Sequence, residues 1–104
     1  MKLIISNDIR DDITEIYNYI AKDSLKYALE TANNIYSRIA ELENSPYLGR
    51  YVPEFSDKQY RELLYKNYRI VYDISEETNI IYIHFLIHGK RDFTSFYKFF
   101  KTKN

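Results

Sequence analysis

The sequence predicts a single α+β domain, with an antiparallel helical hairpin packed on an antiparallel sheet of about four strands. Two regions of different apolar spacing carry this prediction. In the first half of the chain, apolar residues recur every three or four positions, which is the spacing of one helical face. From Tyr60 onward they alternate, which is the spacing of strands. A chain of 104 residues fits one domain over 1–104.

The N-terminal half predicts one strand and two helices. The segment 2–6 is short and rich in isoleucine, as strands are. Asn7 and Asp8 suit a helix N-cap, so we expect the first helix over about residues 8–22. Ser24, with the aspartate before it, offers a second cap for a longer helix. Few residues separate the two helices, so they should form an antiparallel hairpin.

A loop is predicted between the helices and the sheet. The second helix must end by Ser45, because the residue before Pro46 disfavours helical geometry. Residues 45–58 contain both prolines and one of the two glycines, and they show no periodicity. A loop of this length in a small domain is often functional.

Three alternating segments predict an antiparallel meander of three strands, which the N-terminal strand joins. They are YRELLY, YRIVYDI and IIYIHFLIH. The large apolar side chains of the second hairpin share a face if the pairs are Ile74–Ile81, Tyr72–Ile83 and Ile70–Phe85. In this register Arg69 lies opposite Leu86 on the other face, between His84 and His88.

The first hairpin has two possible registers. A two-residue turn at Lys66 and Asn67 places Glu62 and Leu64 beside Arg69. A three-residue turn instead places Arg61 and Leu63 there. Lys-Asn is a weak turn signal, so both registers stay open.

Composition limits the classes of function. The 15 basic and 15 acidic residues cancel, which counts against a dedicated nucleic-acid binder, although residues 57–104 carry the positive excess. The chain has no cysteine, and two histidines on one strand make a poor metal site, so we expect no metal and no cofactor. No apolar run is long enough for a membrane helix, and we expect a cytoplasmic protein with no membrane partner.

The order of several short motifs resembles the RelE/ParE superfamily of toxins from bacterial type II toxin–antitoxin modules. These motifs are SPYLGRYVPE, YRELL, NYRIVYDI and HGKRDF, and they follow a helical hairpin. The resemblance covers nearly the whole chain. It implies a toxin that arrests growth and is held inactive by a cognate antitoxin protein. ParE-like members poison DNA gyrase, whereas RelE-like members cleave messenger RNA on the ribosome.

The resemblance also implies candidate catalytic residues for the RNA-cleaving branch. Arg69, Arg91 and Tyr97 match positions implicated in cleavage, and a related group uses residues that match Glu54 and His88. In that chemistry Glu54 is the base and His88 the acid, and the two arginines hold the phosphate. No metal is required.

Each candidate also has an ordinary structural interpretation. Arg69 could face solvent or pair with Asp73 or Glu62. The long hairpin, the REL before NYRIVY and the low net charge fit the ParE-like branch better. The sequence therefore favours gyrase inhibition, with RNA cleavage as the alternative and an inactive antitoxin-binding homologue as a third possibility. The aromatic C-terminal segment, with five aromatics in 93–100, could be a short helix or an edge strand.

Overall fold

A computed structural model describes residues 1–56 and 58–89 of the chain. Its elements, in chain order, are β1 (Lys2–Ile5), α1 (Asn7–Ala21), α2 (Leu25–Ala40), a 3-10 turn (Glu41–Glu43), β2 (Arg50–Tyr51), β3 (Tyr60–Tyr65), β4 (Tyr68–Ser75) and β5 (Ile80–His88). The α+β class and the helical hairpin are confirmed. The C-terminal aromatic segment lies outside the described residues.

Serine side chains begin both helices. Ser6 Oγ accepts a hydrogen bond from the Ile9 amide at 3.3 Å, and Ser24 Oγ accepts one from the Tyr27 amide at 3.1 Å. Such caps satisfy backbone donors that have no partner inside the first turn. The cap of α1 is thus Ser6, which precedes both predicted cap residues, Asn7 and Asp8.

Within the described residues the sheet has five strands, in the order β1-β5-β4-β3-β2. The meander of β3, β4 and β5 is antiparallel as predicted, but β1 pairs with β5 in parallel, so the sheet is mixed. The additional strand β2 has only two residues and comes from the predicted loop. It pairs antiparallel with β3 and forms one edge of the sheet.

One face of the sheet, called here the helix face, packs against both helices. Its core joins α1, α2, the 3-10 turn and the three longest strands, through Ile9, Ile13, Ile35, Ile39, Leu42, Leu63, Ile70, Tyr72, Ile81 and Ile83. These side chains are almost fully buried and supply the main hydrophobic stabilisation.

The opposite face, called here the outer face, carries a second apolar cluster. Val52 and Phe55, from the segment after β2, pack onto Tyr60, Val71 and Ile87. Part of the 45–58 loop therefore covers the sheet, so this face is not the purely solvent-facing surface that an amphipathic pattern suggests.

A β-bulge changes the register of the second hairpin. Ile74–Ile81 and Tyr72–Ile83 pair as predicted, but the next pairs are Val71–Phe85, Ile70–Leu86 and Arg69–Ile87. His84 is therefore an extra residue on β5, and such an insertion moves the following side chains to the other face. Leu86 and His88 consequently lie on the helix face. The predicted position of Arg69 opposite Leu86, between two histidines of the same face, is wrong.

The first hairpin has the two-residue turn. Leu64 pairs with Arg69 and Tyr65 with Tyr68, so only Lys66 and Asn67 connect the strands. Lys66 adopts a positive φ of 50°, which hairpins with two connecting residues require at one or both positions. This register places Glu62, two positions before Leu64, on the same face as Arg69.

Candidate functional site

Arg69 is the centre of an ion network on the outer face. Its Nε donates to Glu62 Oε1 at 2.6 Å, and Nη2 also contacts that oxygen. Its Nη1 and Nη2 each donate to one oxygen of Glu54 at 2.6 Å, which is the two-point geometry of a guanidinium–carboxylate pair. Each guanidinium nitrogen thus contacts a carboxylate oxygen.

Glu62 makes this network a buried one. Its side chain is fully buried beneath two arginines, because Oε2 accepts a hydrogen bond from Arg50 Nε at 2.7 Å. Arg50 reaches it because β2 pairs Arg50 directly with Glu62. A buried carboxylate is tolerated only when charged partners and hydrogen bonds compensate for lost hydration. Two arginines and two carboxylates together give the network no formal net charge.

The network also holds Glu54 in its ionised form. The hydrogen bonds from Arg69 lower the pKa of Glu54 below its usual value, and partial burial opposes this shift without reversing it. The same hydrogen bonds with Glu54 raise the pKa of Arg69. At neutral pH this part of the outer face is consequently a set of formed ion pairs.

The structure brings together two of the five predicted catalytic residues. Glu54 and Arg69 are in direct contact. His88 lies on the helix face, where its ring packs edge-on against Tyr68 with centroids 5.4 Å apart. Arg91 and Tyr97 lie outside the described residues.

His88 lines a cleft between the helix face and α1. The cleft has a volume of about 550 Å³ and is lined by Asp12, Glu15, Ile16, Tyr19, Tyr68, Leu86 and His88. Its walls are partly acidic, and the sheet separates it from Arg69. A molecule bound there would not contact the Arg69 guanidinium.

The bulged residue, His84, pairs with an aspartate on the outer face. His84 Nε2 lies 2.7 Å from Asp73 Oδ1, and Gln59 Nε2 donates to Asp73 Oδ2 at 3.1 Å. Burial alone would raise the pKa of Asp73, but these two hydrogen bonds outweigh it and the net shift is downward. The Tyr60 ring packs edge-on against His84, which limits the motion of this pair.

A third polar arrangement, which sequence reasoning missed, fixes the loop before β2. The buried Tyr72 hydroxyl donates to Pro46 O at 2.9 Å and accepts from the Gly49 amide at 2.9 Å. Burial raises the pKa of Tyr72, so the hydroxyl keeps its proton. A Cβ on Gly49 would lie 2.6 Å from this oxygen, which explains why glycine stands there. The isolated Gly49 was the available sequence signal.

Arg61 holds the same loop from the neighbouring strand. Its Nη1 donates to Gly49 O at 2.8 Å, and its guanidinium lies over the rings of Tyr51 and Tyr47 at 4.3 and 5.2 Å from their centroids. Guanidinium–ring stacking of this kind is favourable and orients both partners. The loop therefore has a buried hydroxyl beneath it and a cation beside it.

Residues 1–56 and 58–89 contain neither a cluster of potential metal ligands nor a helix that could span a membrane. No cluster of three or more potential metal ligands occurs among these residues. None of the helices in this part of the chain is long and apolar enough to cross a bilayer.

The described elements form the small α+β fold that the resemblance to the toxin superfamily implies. A family model described as the ParE toxin of the type II toxin–antitoxin system parDE matches residues 3–93. The chain belongs to this family, so it is a type II toxin with a cognate antitoxin as partner. A search of curated proteins gave no match.

Proposed function

We propose that this toxin arrests growth in the cytoplasm by binding DNA gyrase, and that it does not cleave RNA. The observation that carries the proposal is the closed ion network of Arg69. An RNA-cleaving site needs positive charge directed at the phosphate oxygens. In this chain Glu54 and Glu62 already occupy the guanidinium that was the leading candidate for this role.

The position of His88 supports the same conclusion. General acid catalysis requires a group within hydrogen-bond reach of the leaving oxygen. His88 is on the helix face and Arg69 on the outer face, so one phosphate between them is not a feasible arrangement. Inhibition by binding requires neither an assembled acid–base pair nor an open phosphate clamp.

The test compares the two targets directly with the purified chain. We expect it to inhibit the supercoiling of relaxed plasmid by purified gyrase, and to leave messenger RNA intact in a translation reaction analysed by primer extension. Cleavage inside codons with normal supercoiling would refute the proposal. No effect in either assay, with no growth arrest in cells, would favour an inactive antitoxin-binding homologue.

RNA cleavage stays a second candidate because Glu54 and Arg69 are in contact. In that case Glu54 would be the base and Arg69 would hold the phosphate together with Arg91, with His88 and Tyr97 as the further candidates. A Glu54→Gln variant keeps the size and a hydrogen-bond acceptor but cannot take a proton. Ribosome-dependent cleavage by the wild type that Glu54→Gln abolishes, in a folded variant, would establish this second function.

A further inference from the structure

We propose that the surface around β2 is where this toxin docks onto an acidic protein segment of gyrase. This surface, called here the docking platform, consists of Tyr47, Leu48, Tyr51, Lys58 and Arg61. The inference rests on the proposed function and goes beyond it, because it assigns the contact to particular residues and specifies the chemistry of the partner.

Large apolar side chains are exposed together on the docking platform. Tyr47, Leu48 and Tyr51 are 53%, 47% and 45% exposed within five consecutive residues. Single exposed apolar residues are common, whereas three large apolar side chains exposed within one short segment favour an interaction surface. Tyrosine and arginine are also the residue types that contribute most to binding at protein interfaces.

The backbone of this segment is fixed before any partner binds. Gly49 is held through its amide by the Tyr72 hydroxyl and through its carbonyl by Arg61. Arg50 is anchored to the buried carboxylate of Glu62. The Leu48 amide closes a turn by donating to Ser45 O at 3.1 Å. A preformed loop loses little conformational entropy on binding, which improves affinity.

The cations of the docking platform have no carboxylate partner among the described residues. Arg61 bonds to a carbonyl and stacks on two rings, and Lys58 lies 5.8 Å from the Tyr51 ring centroid. Arg50 and Arg69, by contrast, both contact Glu62. An incoming carboxylate can therefore pair with Lys58 and Arg61 without breaking an ion pair among residues 1–56 and 58–89.

A depression beside these cations is large enough for one side chain. Its volume is about 210 Å³, and its lining residues are Tyr47, Tyr51, Lys58, Gln59, Arg61, Ile74 and Glu76. The carboxylate of Glu76 accepts a hydrogen bond from the Tyr47 hydroxyl. The lining thus offers ring faces and the side chain of Ile74 to an apolar group flanked by acidic residues.

The net charge of the chain favours a protein segment over DNA as the partner that binds the docking platform. The 15 basic and 15 acidic residues of the chain cancel, so no net positive charge attracts a polyanion. DNA binding relies on several phosphate contacts made at once, and Lys58 and Arg61 supply only two cations. A short acidic protein segment needs no more than these two.

The test uses two exposed substitutions, each with a matched control of the same kind. Leu48→Ser is paired with Leu29→Ser on α2, because the two leucines are 47% and 49% exposed. Lys58→Glu is paired with Lys26→Glu, which makes the same charge change on the exposed surface of α2. Each variant is assayed for inhibition of gyrase supercoiling, and its thermal unfolding is followed by circular dichroism to verify the fold.

We expect Leu48→Ser and Lys58→Glu to raise the half-inhibitory concentration by about tenfold, as loss of a contact at an interface hot spot does. The two control variants should stay within about twofold of the wild type, as energetically near-neutral positions do.

Three results would overturn the inference, and they are distinguishable. If the wild type inhibits gyrase and the platform variants match their controls, the platform is refuted while the function stands. If the variants lose only antitoxin binding, or only binding to bare DNA in a gel-shift assay, the assigned partner is wrong. If the wild type itself leaves gyrase active, the proposed function fails, and the platform proposal fails with it.

Discussion

Replacing Arg69 with leucine tests whether the ion network stabilises the fold. The substitution removes both hydrogen bonds to Glu54 and leaves the buried Glu62 with Arg50 as its remaining arginine partner. Leucine fits the apolar neighbours Leu64 and Ile87, so the main loss is electrostatic.

The expected magnitude follows from the burial of Glu62. Removing one partner of a buried ion pair costs about 3–5 kcal/mol, because the other charge stays buried without compensation. Arg50 retains one hydrogen bond to Glu62, so we expect the lower end, about 3 kcal/mol. For a domain of this size that corresponds to a fall in Tm of about 12–24 °C.

The assay is urea denaturation of the wild type and the variant at pH 7, followed by circular dichroism. Arg50→Leu is the matched control, since Arg50 bonds to the same Glu62 but has a side chain that is 60% exposed. Solvent screens the charge of Arg50, so its loss should cost less than the loss of Arg69, although Glu62 Oε2 then lacks this hydrogen bond; we expect about 1–2 kcal/mol. Equal, small losses in the two variants would show that the network does not stabilise the protein and would refute the reasoning.

The stabilities of the wild type and of Arg69→Leu should respond differently to pH. The pKa of Glu54 is lowered in the folded state, so its contribution to stability is present above its unfolded value, about 4.3. That contribution is lost as pH falls through the lowered folded value. The stability difference between the wild type and Arg69→Leu should therefore be largest at neutral pH and narrow below about pH 4. A constant difference from pH 7 to pH 3 would contradict the role of Glu54.

Three further predictions concern the loop and the bulge. Tyr72→Phe leaves the buried Gly49 amide without its partner and should cost about 1–3 kcal/mol, measured as a lower urea midpoint. Gly49→Ala forces a Cβ to within 2.6 Å of the Tyr72 hydroxyl and should destabilise by about 1–3 kcal/mol, and unchanged stability would show that the loop can relax. His84→Ala removes the nearest hydrogen-bond partner of Asp73, so the pKa of Asp73 should rise and acid unfolding should begin at higher pH; carboxyl NMR titration measures this shift, and an unchanged pKa would refute the role of His84.

The helical part of the fold was predictable because its signals are local. Apolar spacing, Ser24 before the second helix and the proline after it act within a few residues of the boundaries that they determine. The first helix, Asn7–Ala21, begins and ends one residue before the predicted range of about 8–22. The second helix, Leu25–Ala40, ends before Ser45 as predicted. The parallel pairing of β1 depends on how the whole chain returns to β5, and no local signal encodes it.

The bulge at His84 was not predictable from alternation alone. The segment from Ile80 to His88 carries apolar side chains on both faces, and the loop cluster of Val52 and Phe55 covers part of the outer face. A strand buried on two sides has no polar face to reveal a change of register. The predicted register therefore kept the same alternation of faces beyond His84 and assigned His88 to the wrong face.

The complete ion network of Arg69 was not predictable either, because two of its members come from the 45–58 segment. Arg69 and Glu62 could both be identified as charges within a strand, but their burial depends on the loop residue Glu54 and on the short strand that supplies Arg50. Glu54 and Glu62 neutralise the arginine that the family resemblance presents as a phosphate ligand. The cations without carboxylate partners among the described residues of the sheet edge include Arg61, which the resemblance did not single out. If charge that is not already paired determines where a toxin binds its target, the β2–β3 edge is a better candidate for the contact than the Arg69 network.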